Sequence, residues 1–266
     1  TYGERIVLRL LDKQSAQINI NDLGLPQTIL STYKRSLSES EGIILVTGPT
    51  GSGKTTTLYA GLRDLSDSSQ NILTVEDPIE YTLKGIGQTQ VNQKTGYSFA
   101  TGLRAMLRQD PDVVMVGEIR DTETAQIAIQ SSLTGHLVLS TVHTNSAVGA
   151  ITRLRDMGIE SFLISSSLKT VISQRLVRRL CDSCKVKTTI NKDIADLFGL
   201  KHNLEVYDHK GCDNCNGTGY KGRIAVAECV NVDKTIKDMI HNENSENEIN
   251  EYVFKNAPSI NSSCSD

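Results

Sequence analysis

The segment from Gly48 to Thr55 combines glycines, a lysine and a hydroxyl at the spacing that binds nucleotide phosphates. It reads GPTGSGKT and matches the P-loop pattern between an apolar run and a helical pattern. Lys54 offers a cation to the β and γ phosphates of ATP, and the Thr55 hydroxyl is a ligand for Mg²⁺. The alternative, a glycine-rich turn without a ligand, is disfavoured by these flanks. The predicted nucleotide-binding residues are Gly48, Pro49, Thr50, Gly51, Ser52, Gly53, Lys54, Thr55 and Thr56.

A P-loop needs an acid at the end of a neighbouring strand, and two segments supply one. An apolar run ends in Gly117 and Glu118, where the usual pattern has Asp before Glu. Glu118 is the predicted base, so the Mg²⁺ role of the missing aspartate must be shared or moved. The segment EDPIE, residues 76–80, also follows an apolar run and could replace that aspartate. For Asp77 and Glu80 alone, solvated loop acids are the alternative.

Two histidines, His136 and His143, stand at opposite ends of the apolar run 137–142. If this run is one strand, about 3.3 Å per residue separates them by roughly 23 Å, so both cannot contact one γ-phosphate. In a parallel sheet, His143 is at the ligand-facing end. His136 is equally compatible with a structural, hydrogen-bonded role.

Four of the six cysteines form two C-x-x-C pairs, which are Cys181 with Cys184 and Cys212 with Cys215. The 27 residues 185–211 separate the pairs. This spacing predicts a structural Zn²⁺ site, against redox dithiols or free thiols as alternatives. Four thiolates close a tetrahedron and leave no position for a reacting water, so the metal is predicted to stabilise a lobe. Cys229 and Cys264 remain outside the pattern.

Apolar runs alternate with amphipathic segments, which predicts an α/β fold with a mainly parallel sheet. Helices are predicted from near Thr122, with Glu123 in the first turn, and from near Ser146, with Gly158 placed to end it. The predicted strands are Ile43–Thr47, Ile72–Val75, Val113–Val116 and Leu137–Val142.

Three regions are predicted along the chain. Residues 1–23 contain one strand-like stretch, 3–11, which is interpreted as the end of an upstream domain followed by a linker. Residues 24–179 form the P-loop core. Beyond Arg179 the alternation of strands and helices fades, and residues 180–266 form a C-terminal lobe with the cysteine pairs.

The amino-acid composition limits the classes of partner that the chain is expected to bind. The formal net charge is −3, from 28 Lys and Arg against 31 Asp and Glu, which provides no global field for a polyanion. Apolar runs are far shorter than the roughly 20 residues of a membrane helix, and no signal-peptide pattern is present. We therefore expect a cytoplasmic protein that contacts a membrane only through partners, and no nucleic acid.

Four segments in this order resemble the GspE/PilB family of secretion ATPases. The resemblance extends from about Tyr2 to Ser259, and it implies a RecA-like P-loop NTPase core with a small zinc-binding tetracysteine C-terminal lobe. The segments resemble the family's Walker A, Asp box, atypical Walker B and His box, which are residues 48–55, 76–80, 112–118 and 134–143. The chain resembles a version truncated at its N-terminus, and its end after Asn261 departs from the family's longer helical end.

Further site residues follow from this resemblance. Glu118 corresponds to the catalytic glutamate, Glu76 and Glu80 to the Asp-box acids, and His143 to the histidine facing the phosphate. The resemblance also implies four arginines linked to activity, which are Arg9, Arg104, Arg108 and Arg223. Arg104 and Arg108 are four residues apart and would share one helix face, which equally describes a solvated face.

The resemblance implies a homo-hexameric motor whose ATP hydrolysis drives pseudopilus assembly in type II secretion. It implies inner-membrane and cytoplasmic machine components as partners, with the chain peripheral to the bacterial inner membrane. Type IV pilus extension is the alternative, and the tetracysteine lobe favours an assembly motor over pilus retraction. A nucleic-acid translocase of RecA-like fold is more distant, because the basic cluster of Arg175, Arg178 and Arg179 lacks an aromatic stacking platform. A small-molecule kinase would need a lid and an acceptor pocket that the sequence does not indicate.

Overall fold

The structure is a computed structural model that describes residues 18–66, 69–198, 200–255 and 257–260, together with Gly3 and Ile6. Arg9, Cys264 and the rest of the strand predicted at residues 3–11 lie outside the described residues.

Within the described residues, the main sheet has seven strands. Five neighbouring pairs are parallel, and the sixth, between the last two strands, is antiparallel. The predicted mainly parallel α/β sheet is therefore confirmed, and each of the four predicted strands is present. In spatial order the strands are β3 (Gly87–Gln90), β2 (Ile72–Glu76), β4 (Val113–Val116), β5 (Leu137–Val142), β1 (Gly42–Thr47), β6 (Leu168–Leu180) and β9 (Tyr220–Asn231).

The central strands β1, β4 and β5 are mainly apolar and fully buried because helices cover both faces of the sheet. In β1, Ile43 and Leu45 join the core on one face, whereas Ile44 and Val46 join the core on the other. All six residues of β1 and of β5 are buried. Because these strands run parallel, their carboxyl ends lie at one edge of the sheet, where ligands of open α/β sheets bind.

Helices form the outer layers. Residues of α1 and α2 pack on one face, and residues of α3, α4, α5, α6, α8 and α9 pack on the other. The helices are α1 (Gln27–Leu37), α2 (Lys54–Leu65), α3 (Phe99–Met106), α4 (Thr122–Ser132), α5 (Gly149–Asp156), α6 (Ser161–Ser167), α7 (Lys192–Phe198), α8 (Lys234–His241) and α9 (Glu246–Phe254).

Local signals explain the helix ends. Asp121 caps α4, because its carboxylate accepts from the Thr124 N–H at 2.8 Å. The helix predicted near Ser146 begins at Gly149, and Gly158 follows its end with a φ of +80°. Arg108 also differs from expectation, because α3 ends at Met106 and Arg108 therefore does not share a helix face with Arg104.

The chain beyond Arg179 differs from the sequence-based expectation, because strands and helices continue there. β6 ends at Leu180, and β9 returns antiparallel to it as the seventh strand of the main sheet. Residues of α8 and α9 enter the main core. Between β6 and β9 lie the cysteine pairs, α7 and a separate antiparallel pair, β7 (Val186–Thr189) and β8 (Glu205–Asp208). We therefore propose a narrower cysteine lobe, residues 181–219.

Candidate nucleotide site and tetracysteine cluster

The P-loop connects the end of β1 to the start of α2 at the carboxyl edge of the sheet. Gly53 precedes the helix in the left-handed region, with a φ of +86°. At Gly48 a Cβ atom would collide with the carbonyl oxygen of Gln174 on β6. Glycine is thus required at both positions, because the loop turns sharply and lies directly against a neighbouring strand.

Lys54 at the first position of α2 points back to its own loop. Its Nζ donates to the carbonyl oxygens of Gly48 at 2.9 Å and Pro49 at 3.1 Å. Partial burial lowers the pKa of Lys54, and the nearby Glu118 carboxylate opposes that shift. The lysine is placed to exchange these carbonyls for phosphate oxygens.

Gln174 fixes the loop from the side. Its Nε2 donates to the Ser52 carbonyl at 2.6 Å, and its Oε1 accepts from the Thr57 hydroxyl at 2.9 Å. The side chain is buried on β6, with 1% exposure. One amide therefore joins the loop to the first turn of α2, which holds the N–H groups of the loop in a fixed arrangement.

Glu76, at the end of β2, is buried beneath the site. It accepts hydrogen bonds from the Tyr59 hydroxyl, from Thr74 Oγ1 at 2.5 Å and from Gln88 Nε2 at 3.1 Å. Burial and the hydrogen bond to Glu76 raise the pKa of Tyr59. Hydrogen bonds from several donors offset the cost of burying the Glu76 side chain. Glu76 in turn supports the loop that carries Asp77 and Glu80.

Glu80 reaches the predicted Mg²⁺ ligand. The Thr55 hydroxyl donates to Glu80 Oε1 at 3.3 Å. A hydroxyl beside a carboxylate is the oxygen chemistry that Mg²⁺ prefers, so these residues fit the ion. A Cβ at Gly117 would lie 3.3 Å from the Val75 carbonyl oxygen and 3.4 Å from the Glu76 Cα, so a larger residue at this position would pack tightly against the end of β2.

Glu118 directly follows Gly117 and is engaged at both oxygens. Its Oε2 lies 2.5 Å from Arg120 Nη2, and its Oε1 lies 2.8 Å from His143 Nε2. The Glu118 side chain is 12% exposed, whereas Arg120 is 59% and His143 48% exposed. The hydrogen bond to Glu118 raises the pKa of Arg120, with a smaller contribution from Asp77.

These groups surround one cavity of about 400 Å³. The cavity joins residues that are far apart in sequence, because the parallel strands end at the same edge. Of the predicted site residues, those lining it are Thr50, Gly51, Ser52, Gly53, Lys54, Thr55, Thr56, Glu76, Glu80, Glu118, His143 and Arg223. Gly48 and Pro49 contribute the carbonyls that Lys54 contacts.

The other predicted arginines lie elsewhere. Arg104 and Arg108 do not line the cavity, and Arg104 pairs with Glu123 on the surface at 2.7 Å. Arg9 is outside the described residues. His136 contacts the Ser131 carbonyl through Nδ1 at 3.0 Å, at the opposite end of β5 from His143. Arg104 and Arg108 therefore do not contribute to the cavity of their own chain.

Sequence reasoning missed Arg120 and Gln174. Arg120 had an available signal, since it lies two residues after the predicted base at the end of a strand. Gln174 had none, because its role depends on the close approach of β6 to the P-loop, which no local pattern encodes.

The four cysteines of the two pairs lie together, with all sulfur atoms within 4.8 Å of one another. The Sγ atoms of Cys181 and Cys212 are 3.9 Å apart, and those of Cys184 and Cys215 are 3.8 Å apart. A tetrahedron with Zn–S bonds of about 2.3 Å has S–S edges of about 3.8 Å. The cluster is therefore compatible with one tetrahedral zinc ion.

Backbone amides support the same assignment. The N–H groups of Cys212 and Gly219 donate to Cys215 Sγ at 3.2 and 3.1 Å. Burial alone would raise the pKa of the Cys215 thiol, but these amides lower it to about 6. A thiolate is the form that binds a metal, so these amides favour the ligand form at Cys215, whereas burial raises the pKa of the Cys184 thiol to about 11.

Among the described helices, none combines the length and apolar content needed to cross a bilayer.

Comparison with known proteins agrees with these features. The family described as "Type II/IV secretion system protein" matches residues 1–265. The chain is 56% identical over 262 residues to the type II secretion system ATPase E of Vibrio cholerae serotype O1, covering 98% of this chain and 52% of that protein. It is 56% identical over 260 residues to the type II secretion system protein E of Pseudomonas aeruginosa, covering 97% of this chain and 52% of that protein.

A solved structure is also similar. It is a crystal structure of the pilus retraction motor PilT with bound ADP, with a TM-score of 0.68 and 31% identity over 90% of this chain and 60% of that one. The present chain spans about half the length of the curated relatives it matches.

Proposed function

Since the chain belongs to the type II/IV secretion system protein family, we propose that it carries the ATP-hydrolysing site of a type II secretion motor. The observation that carries the proposal is the shared cavity, which brings Lys54, the Thr55 hydroxyl and Glu118 to one edge of the sheet. The names of the relatives favour type II secretion. Type IV pilus extension is the alternative.

In the proposed reaction, the backbone amides of residues 48–56 and the Lys54 ammonium bind the phosphates. Thr55 and Glu80 hold Mg²⁺, which offsets phosphate charge when bound. Glu118 accepts a proton from the water that attacks the γ-phosphorus. His143 contacts the Glu118 oxygen opposite Arg120 and keeps the carboxylate directed into the cavity.

The cysteine lobe has a structural role in this proposal. Cys181, Cys184, Cys212 and Cys215 bind one Zn²⁺ and occupy its whole coordination shell, so the ion cannot activate water. The ion replaces the apolar core that so short a segment cannot build.

The site is completed by assembly. We place the chain in a homo-hexamer in the cytoplasm, peripheral to the bacterial inner membrane, with other secretion components as partners. Arg104 and Arg108 lie outside their own chain's cavity and serve the nucleotide of a neighbour, whereas Arg223 lines its own. Arginines supplied in this way are worth roughly 10³ to 10⁵ in rate.

Phosphate release from ATP tests the reaction. The chain is expected to hydrolyse ATP with Mg²⁺, and Glu118→Gln should lower kcat about 10² to 10⁴ fold, because it removes the base and preserves the shape. Glu251→Gln, at an exposed position on α9, is the matched control. Normal turnover in Glu118→Gln would move the base to residues 76–80. Strong stimulation by DNA or RNA would favour a translocase.

Protein concentration tests the shared site. Specific activity should be weak for a dilute monomer and should rise as the chain is concentrated or fused to a hexamer-forming partner. High, concentration-independent activity on a species that light scattering shows to be monomeric would contradict completion by a neighbour.

A further inference from the structure

Each oxygen of the Glu118 carboxylate is already in contact with a basic side chain. Arg120 contacts Oε2 at 2.5 Å and His143 contacts Oε1 at 2.8 Å, while the carboxylate side chain is 12% exposed. A general base needs the water within about 2.6 to 3.2 Å of an oxygen. In this arrangement both oxygens already hold a basic side chain, so release of one contact would free that oxygen to accept from the water.

Arg120 is the contact that ATP can remove. Its side chain is 59% exposed and lines the cavity beside the P-loop. A guanidinium matches phosphate oxygens with two parallel hydrogen bonds. Lys54 is in a similar position, because its ammonium donates hydrogen bonds to two carbonyl oxygens of the P-loop. Both cations therefore rest on protein acceptors that phosphate oxygens can replace.

We propose that Arg120 is a positioning residue that keeps Glu118 closed until a γ-phosphate draws the guanidinium away. The inference rests on the proposed function and adds a control step to it. Binding of ATP exchanges the Arg120–Glu118 pair for an Arg120–phosphate pair, and the released Oε2 turns to the water. ADP lacks the γ-phosphate, so it leaves the pair closed.

The released base completes a balanced step. The water oxygen forms a bond to the γ-phosphorus, and its proton passes to Glu118 Oε2. The bond between the γ-phosphorus and the bridging oxygen breaks, and ADP keeps that electron pair. Departure of phosphate returns Arg120 to Glu118, once the carboxyl has lost its proton to solvent.

If Glu118 and the γ-phosphate compete for Arg120, replacing Arg120 should affect nucleotides with and without a γ-phosphate unequally. A purely structural arginine would affect both nucleotides equally. Arg120→Gln should weaken binding of the non-hydrolysable analogue AMP-PNP about tenfold or more, the worth of a charge-assisted hydrogen bond. Binding of ADP should change less than about twofold, since ADP never engages Arg120. Arg120→Lys should restore part of the AMP-PNP affinity, because it keeps the charge.

Glu118→Gln tests whether the ion pair with Glu118 holds Arg120 away from the nucleotide. Without its ionic partner, Arg120 is free for the γ-phosphate, so AMP-PNP should bind about threefold to fivefold more tightly, the upper range for an ion pair in which one partner, Arg120, is 59% exposed. Loss of a negative charge near the phosphates would tighten binding by itself. The variant with both Arg120 and Glu118 replaced separates these two explanations. Only release of Arg120 from the ion pair predicts that the gain in affinity disappears when Arg120 is also replaced.

The experiment is calorimetric titration of the full chain with AMP-PNP and ADP in the presence of Mg²⁺. Arg153→Gln, at an exposed position on α5, is the matched control and should bind both nucleotides like the wild type. Thermal unfolding verifies that each variant is folded.

The outcomes are distinct. Wild-type chain that binds neither nucleotide would overturn the proposed function. Wild-type binding with equal losses of AMP-PNP and ADP in Arg120→Gln would overturn the inference alone, and so would a gain in Glu118→Gln that persists without Arg120.

Discussion

The cavity and the cysteine lobe gather chemically active groups in opposite ways. The cavity collects side chains from Thr50 to Arg223, carried by the ends of several strands of one sheet. The lobe collects four thiols from two short segments, with all sulfur atoms within 4.8 Å of one another and three separations of 3.8 to 3.9 Å. The first site is open and contains exposed charges, whereas the second has its four ligands facing one point.

This difference separates function from support. In the proposed mechanism, a nucleotide replaces the carbonyl partners of Lys54 and the Glu118 partner of Arg120, so the arrangement changes with each turnover. In the lobe, a tetrahedral ion would leave no ligand position open. Changes in the cavity should therefore alter binding and rate, and changes in the lobe should alter metal content and local stability.

Replacement of the P-loop lysine should give the largest effect on the cavity side. Lys54→Ala removes two charge-assisted hydrogen bonds to the phosphates, worth about 1.5 to 3 kcal/mol each, so kcat/KM should fall about 10² to 10⁴ fold. Zinc content should not change. Steady-state phosphate release and elemental analysis measure the two quantities, with Lys94→Ala on the surface as the control. Wild-type kcat/KM in Lys54→Ala would end the nucleotide assignment.

Loss of one thiol should have the converse effect. Cys212→Ser leaves three thiolate ligands, so zinc content should fall from about one per chain and the lobe should unfold at lower temperature. Nucleotide affinity should stay within about threefold, because the lobe does not contribute to the cavity. Cys229→Ser is the control, since this thiol lies outside the cluster. Metal-free wild-type protein, purified without chelator, would refute the zinc site.

The sequence predicted the parts of both sites that short patterns encode. The P-loop requires neighbouring residues in order, and the cysteine pairs require fixed spacings, so both were recognisable before the structure. Four strands were also predicted, because parallel strands buried on both faces are apolar throughout.

Contacts between residues far apart in the sequence were not predictable. The pairing of β6 with β9 brings residues from beyond the cysteines back to the main sheet, although nothing in the local composition after Arg179 indicates it. The contact between Gln174 and Ser52 depends on the pairing of β6 with β1, which joins segments far apart in sequence. Arg104 and Arg108 were expected on one helix face, but α3 ends at Met106, and helix ends are the least certain part of a pattern.

Gln174 provides an intermediate test, because it belongs to the cavity's support and touches no proposed ligand. Gln174→Leu leaves the Ser52 carbonyl and the Thr57 hydroxyl without their partner, at about 1 to 3 kcal/mol for each buried polar group. Nucleotide affinity should fall about tenfold as the loop loses its fixed arrangement, and the melting temperature should also fall. Gln174→Glu should keep the Thr57 contact and recover part of both. Unchanged affinity for AMP-PNP and ADP would show that the loop is rigid without Gln174.

The smallest effect within a single chain is expected at the surface pair of Arg104 and Glu123. Their side chains are 52% and 59% exposed and the pair spans 2.7 Å, and such pairs contribute about 0.2 to 1 kcal/mol. Arg104→Gln should therefore lower the melting temperature by less than about 4 °C, and Glu123→Gln should lower it by a similar amount. Nucleotide affinity of the dilute chain should not change in either variant, because neither residue lines the cavity.

In concentrated or hexameric protein the two variants should differ in turnover, since only Arg104 is proposed to serve a neighbour's nucleotide. Arg104→Gln should lower kcat, whereas Glu123→Gln should retain turnover. Equal turnover of both variants in the assembled state would assign Arg104 to the solvated face that its spacing also permits.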